Sequence, residues 1–271
     1  MPGRARFWNE EMPFLHTDDL EICYELIGQG EPMLMLHGFG GTGHSDWRHQ
    51  IPVFSQSYRM IVPDLRGHGR TDHPEAITGP EFFQMATSEM VDLVSELDLA
   101  PVHVCGFSMG SSIAAWLYYS DPSLVRSLIL VSGAARVNRD IAPGLFELWE
   151  NLSEPDRVDA GWAKALARLH GEDKWRPLLR NYGRAVLARV GSNEDVVSSR
   201  LGEITCPTLI IQGRKDSVSP VLLSEELSAR IPDAEYVLVD SDHWVPGLRP
   251  REFNAAVLDF LARRFPSEDT R

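Results

Sequence analysis

Ser108 stands at the centre of Gly106-Phe107-Ser108-Met109-Gly110, a G-x-S-x-G pattern between an apolar run, Val102–Cys105, and an alanine-containing helical stretch. A serine at the tip of a sharp strand-to-helix turn projects its hydroxyl for attack on a carbonyl carbon. Glycines flank it because side chains at those positions would collide across so tight a turn. The helix that starts beside Ser108 supplies unpaired N–H groups and a positive dipole end, which favour developing negative charge. Five residues of this kind recur by chance; their place between a buried strand and a helix is what predicts a nucleophile. The alternative is a tight turn with a capping serine.

His37-Gly38-Phe39-Gly40-Gly41 follows one apolar run, and Asp64-Leu65-Arg66-Gly67-His68-Gly69-Arg70-Thr71-Asp72 follows another. With the serine motif, these segments resemble the α/β-hydrolase superfamily, over essentially the whole chain. The resemblance implies a serine hydrolase whose roles follow the chain order nucleophile, acid, base. Asp216, just past Thr208–Gln212, takes the place of the acid. His243, in Asp240-Ser241-Asp242-His243-Trp244, takes that of the base. Some relatives carry the acid after the preceding sheet strand, but Val131-Ser132-Gly133-Ala134 offers no carboxylate. Most relatives have glycine before the histidine, whereas Asp242 here is a competing carboxylate. Adjacent side chains on a loop rarely face one another, so Asp216 is favoured. The backbone N–H groups of Phe39 and Met109 are the oxyanion donors that the resemblance implies. His37 and His68 are expected to be structural, and His16, His44, His49, His73, His103 and His170 have no base-like context.

A serine nucleophile selects acyl substrates, because its attack on an sp³ carbon would leave a stable ether. Gly-Phe-Ser-Met-Gly with a short helical insertion resembles small carboxylesterases, enol-lactonases, cofactor-free perhydrolases and valacyclovir-hydrolase-like enzymes. The expected activity is hydrolysis of a small ester, lactone or thioester through an acyl-enzyme. Carbon–carbon hydrolysis of diketone-type substrates uses the same three residues and ranks second. A non-hydrolytic small-molecule binding protein or a lyase on the same fold stays open.

The elements that must position these residues alternate along the chain. Glu21–Ile27, Met33–His37, Arg59–Pro63, Val102–Cys105, Leu128–Val131 and Thr208–Gln212 read as strands, the last three apolar runs bounded by turn residues, as expected of strands buried on both faces. Phe82, Ala86, Met90, Leu93 and Leu97 repeat at helical spacing, as do Phe253, Ala256, Val257, Phe260 and Leu261. This alternation predicts an α/β fold with a mainly parallel sheet covered by helices on both faces; the resemblance implies eight strands. The rhythm breaks at 135–201, where Gly144–Leu152, Trp162–Leu169 and a series from Trp175 to Val190 are amphipathic. That stretch is expected to be a helical cap inserted in a core made of 1–134 and 202–271. Trp47, Phe107, Trp149, Trp162, Trp175 and Trp244 are candidates for an apolar substrate pocket, with plain packing the commoner role of such residues. Lys164, Arg168, Lys174, Arg176 and Arg180 make part of the insertion basic, and a solvated helix face accounts for them best. Pro266–Arg271 reads as a frayed tail.

With 271 residues, a net charge of −13 and a pI near 5.1, the chain lacks the basic face that nucleic acid demands. The first twenty residues have no continuous apolar stretch of the signal-peptide kind, and none approaches the roughly 20 residues of a membrane span. Cys23, Cys105 and Cys206 are odd in number and have no metal-ligand spacing, so reduced thiols in a cytoplasmic protein are expected. No pair of histidines has H-x-x-x-H spacing with a carboxylate on one helix. A small-molecule substrate with no cofactor and no metal is therefore expected; monomer and homodimer remain equally open.

Overall fold

Strands with side chains alternating between two faces build the centre of the molecule. The computed structural model describes residues 12–17, 20–73, 81–136, 139–140, 142–191 and 200–266, with side chains up to 189 in the helix that ends at 191. Eight strands, β1 (Phe14–His16), β2 (Glu21–Ile27), β3 (Glu31–Leu36), β4 (Tyr58–Pro63), β5 (Val102–Phe107), β6 (Val125–Val131), β7 (Thr208–Gly213) and β8 (Ala234–Val239), form one sheet in the order β1-β2-β4-β3-β5-β6-β7-β8. β1 and β2 pair antiparallel and β2 runs antiparallel to β4, while β4, β3, β5, β6, β7 and β8 are parallel.

The helices are α1 (Gly43–Trp47), α2 (Ile51–Phe54), α3 (Phe82–Glu96), α4 (Met109–Ser120), α5 (Pro143–Leu152), α6 (Ala160–His170), α7 (Trp175–Gly191), α8 (Val221–Arg230), α9 (Val245–Leu248) and α10 (Pro250–Arg264). Among the described residues, no helix is long and apolar enough to cross a membrane. Each core strand sends alternate residues to opposite sides. Leu34 and Leu36 of β3, Val104 of β5 and Leu128 and Leu130 of β6 pack on the face covered by α3 and α4. Met33, Met35, Cys105, Phe107, Ile129 and Val131 pack on the other, against Phe253, Val257 and Phe260 of α10. At roughly 25 cal/mol per Å² of apolar surface, this two-sided burial is the main stabilising term.

Local signals set the helix ends. Thr42 caps α1 by accepting from the Ser45 N–H, and Ser45 Oγ accepts from the Thr42 N–H, a reciprocal box. Asp159 caps α6 by accepting from the N–H groups of Gly161 and Trp162, and Gly171, at φ +99°, ends it. Prolines open α5 and α10, where a missing N–H costs nothing.

The stretch between β6 and β7 holds α5, α6 and α7 and no strand among its described residues, as its amphipathic periods predict. β1 and α8 were not apparent in the sequence: three residues give no period to read, and α8 combines adjacent glutamates, Glu225 exposed and Glu226 half-buried, with an exposed Leu222. The expected tail falls, from residue 267 on, outside the described residues, as do residues 1–11 of the expected core and 192–199 of the expected insertion.

Candidate active site

β5 runs into α4 through Ser108, and the turn is as sharp as the glycine pattern predicts. Ser108 sits at φ +52°, ψ −111°, a conformation that L-residues seldom adopt. A Cβ on Gly106 would overlap the Gly110 carbonyl, and a Cβ on Gly110 would overlap the Leu36 carbonyl of the neighbouring strand. Both obstacles are backbone, so only glycine lets the turn close.

Ser108 Oγ lies 3.0 Å from His243 Nε2, and His243 Nδ1 lies 2.8 Å from Asp216 Oδ2. Since the carboxylate can only accept, Nδ1 carries the proton and Nε2 is left to accept from the serine hydroxyl. Asp216 is buried and accepts four hydrogen bonds: His243 Nδ1 and Gln212 Nε2 on Oδ2, and the N–H groups of Val218 and Ser219 on Oδ1. Asp242 is exposed, and its Oδ1 accepts from the His243 N–H at 2.9 Å. The structure thus brings Ser108, His243 and Asp216 into one line and leaves Asp242 out of it.

Ser132, at φ +49° after β6, donates to the His243 carbonyl at 2.8 Å. Neither Ser132 nor Gln212 stands out in sequence, because serine and glutamine beside a strand carry no pattern of their own. Phe39 and Met109 follow the carboxyl ends of β3 and β5, at the same end of the sheet as Ser108. Among the described residues, neither N–H has a protein acceptor.

The loop that carries Phe39 is held peptide by peptide. His37 Nδ1–H donates to the Gly38 carbonyl at 2.7 Å, while its Nε2 accepts from the Leu65 N–H. His68 Nε2 accepts from the Gly40 N–H at 3.3 Å, and its Nδ1–H donates to the Arg66 carbonyl. Asp46 accepts from the Gly38 N–H at 2.9 Å. Burial drives the His37 pKa down to about 3 and the His68 pKa well below the ordinary histidine range. It pushes the Asp46 carboxyl up to about 7, against the lowering effect of the Gly38 N–H.

A cavity of about 270 Å³ opens on Ser108 and His243. Its wall includes Trp149 and Trp162, with Phe39, Leu148, Tyr182 and Val186. Four pocket candidates lie elsewhere. Trp47 is fully buried under the sheet beside Phe253, and Trp175 is buried in the core of the opposite face. Phe107 packs under the sheet with its ring 5.2 Å from the His243 ring, and Trp244 lies under the Arg48 guanidinium. Large aromatics fill cores as readily as pockets, and residue type alone does not separate the two. Lys164, Arg168, Lys174 and Arg176 are exposed, and with the half-buried Arg180 they stay off the wall; the basic group on it is Arg189.

A second serine–histidine–carboxylate set lies at the opposite edge of the sheet. Ser127 Oγ is 2.7 Å from His103 Nδ1, and His103 Nε2 is 3.1 Å from Glu31 Oε2. Ser127 and His103 are sealed from solvent. Among the described residues, no cluster of three or more His, Cys, Asp or Glu side chains is arranged to hold a metal ion.

The family model described as the alpha/beta hydrolase fold matches residues 31–250. The chain belongs to this family. A 2-hydroxy-6-oxononadienedioate/2-hydroxy-6-oxononatrienedioate hydrolase of Cupriavidus pinatubonensis is 30% identical, over 88% of this chain and 89% of that protein. The enol-lactonase from Burkholderia xenovorans LB400 superposes with a TM-score of 0.75 at 22% identity, covering 92% of this chain and all of that one. An esterase from Exiguobacterium antarcticum gives 0.74 at 23% identity, covering 93% of this chain and 99% of that one. At such identities the two structures speak for the fold alone; with the family match, the relatives support a hydrolase.

Proposed function

We propose that the protein hydrolyses a small carboxylic ester, lactone or thioester through an acyl-enzyme on Ser108. One observation carries the reading: the line Ser108 Oγ, His243 Nε2, His243 Nδ1, Asp216 Oδ2 ends at the wall of an apolar cavity. His243 Nε2 takes the hydroxyl proton as Ser108 Oγ bonds to the acyl carbon, and the carbonyl electron pair moves onto oxygen. The N–H groups of Phe39 and Met109 receive that oxyanion; each such donor is typically worth about 10²–10³ in turnover. When the tetrahedral adduct collapses, the leaving alcohol or thiol takes the proton back from His243. Water, deprotonated by the same imidazole, then attacks the acyl carbon and releases the acid and Ser108. Asp216 holds the imidazole in the tautomer that can accept and stabilises the imidazolium it becomes.

In this reading α5, α6 and α7 act as a cap. They supply Trp149, Trp162 and Tyr182 to the cavity, and water excluded there strengthens every polar contact with the substrate. A second reading is favoured by the 30% identical Cupriavidus relative: carbon–carbon hydrolysis of a diketone-type acid by the same three residues. A panel of esters, lactones, thioesters, amides and diketones, scored by kcat/KM for wild type and Ser108→Ala, separates the two. The acyl reading expects ester or lactone turnover at least 10³-fold above the variant and fluorophosphonate labelling lost with Ser108. Equal rates in the two proteins, or labelling that persists in Ser108→Ala, would overturn it.

A further inference from the structure

The backbone between Gly38 and Gly41 is gripped from two sides, and one grip comes from the inserted helices. His37 binds the carbonyl of the 38–39 peptide, whose N–H is that of Phe39, and His68 binds the N–H of the 39–40 peptide. The 40–41 peptide is bound by His170, the last residue of α6: its Nε2 lies 3.1 Å from the Gly40 carbonyl. His170 Nδ1 accepts from the Gly69 N–H at 2.9 Å. That contact fixes the tautomer, so the proton sits on Nε2 and points at Gly40. Three consecutive peptides are thus held by one imidazole each, and only the third imidazole belongs to the insertion between β6 and β7.

Packing reinforces the same link. The Phe39 ring stacks on Tyr182 of α7, with centroids 3.8 Å apart and planes 10° from parallel. Trp162 and Leu166 of α6 lie so near Gly40 that a Cβ there would touch both at 3.4 Å. Gly40 itself is at φ +78°, a conformation open to glycine and rarely to other residues. His170 is buried, and its ring meets the ring of His68 edge-on at 5.5 Å.

We propose that His170 is a positioning residue for the oxyanion donor: through the Gly40 carbonyl it makes the set of the Phe39 N–H depend on the seating of α6. The inference rests on the hydrolase reading for its effect on rate, and on geometry alone for its effect on the loop. A seated cap and a formed oxyanion hole then become one state, so that acyl transfer proceeds only over an enclosed substrate. Burial keeps the His170 imidazole neutral, with its pKa lowered to about 4, as a donor to Gly40 and an acceptor from Gly69 require.

Two substitutions divide the imidazole's work. In His170→Gln the amide nitrogen replaces Nε2 and donates to Gly40, and the Gly69 contact is lost. In His170→Asn the amide oxygen replaces Nδ1 and accepts from Gly69, and the Gly40 contact is lost. Measured on the best ester of the panel, His170→Asn is expected to lose about 10- to 100-fold in kcat with KM within about threefold, the scale of a misplaced catalytic group. His170→Gln is expected to stay within about threefold of wild type. Amide hydrogen exchange at Phe39 and Gly40 should quicken in His170→Asn and not in His170→Gln, with both variants melting within a few degrees of each other. Equal kcat in the two variants, or exchange that does not distinguish them, overturns the proposal. If wild type shows no Ser108-dependent turnover, the hydrolase reading fails, and the exchange data still decide whether His170 holds the loop.

Discussion

Replacing Asp216 by asparagine tests the acid assignment most directly. The amide oxygen must face the N–H groups of Val218 and Ser219, 2.9 and 2.7 Å from Oδ1, because those backbone donors cannot reverse, whereas the Gln212 amide and the His243 ring on the Oδ2 side can. The amide nitrogen is then left 2.8 Å from His243 Nδ1 and can only donate to it. Nδ1 therefore becomes the acceptor, the imidazole proton moves to Nε2, and Nε2 presents a hydrogen to Ser108 where a lone pair is needed. A base in the wrong tautomer costs about 10⁴ in kcat, which is about 5.5 kcal/mol of barrier. Asp242→Asn leaves this chain untouched and should stay within about twofold of wild type. The assay is kcat for both variants on one ester, with thermal melting to show that the fold is intact and ¹⁵N resonances of the imidazole to report the tautomer. Asp216→Asn retaining more than a tenth of wild-type kcat, or Asp242→Asn losing as much as Asp216→Asn, would refute the reasoning.

Ser132→Ala removes the hydrogen bond that holds the His243 carbonyl, and about 1 kcal/mol of stability with a several-fold loss of kcat is expected; unchanged kcat would show that the histidine loop holds itself. Gly110→Ala drives a Cβ into the Leu36 and His37 carbonyls, which cannot yield as a side chain would, so the variant should melt well below wild type or fail to fold. His37 and His170 have pKa values lowered by burial to about 3 and about 4, so the unfolded chain takes up protons that the folded chain refuses. Stability contributed by their neutral forms is present above about pH 6.5 and falls as pH drops from there towards 4. Asp46 has the opposite sign: its raised pKa, about 7, makes the folded chain bind the extra proton, so its cost grows as pH rises from about 4 to 7. Asp46→Asn should therefore raise the melting temperature more at pH 7 than at pH 5, and an equal shift at both would contradict this.

Ser108, Asp216 and His243, which the structure brings together, were legible because each sits next to an element that sequence reveals. Ser108 is framed by glycines that the turn demands, and Asp216 follows an apolar run that can only be a buried strand. What held these residues in place was not legible. His170 lies on an amphipathic helix, where a buried histidine looks like any inward-facing residue, and its contacts to Gly40 and Gly69 span 130 and 101 positions. The six aromatic candidates show the same limit. Trp149 and Trp162 line the cavity while Trp47 and Trp175 fill the core, and helical period reports only that a side chain turns inward.

The second set, a buried Ser127 and His103 with the partly exposed Glu31, has a bearing on how such enzymes are recognised. Its imidazole is turned end for end relative to that of His243: Nδ1 faces the serine and Nε2 the carboxylate. A search by residue type and separation would score both ends of this sheet alike. Handedness of the ring, a strained serine and a space for the acyl group distinguish them, and the sealed Ser127 supplies an internal blank against which any serine-directed reagent can be judged.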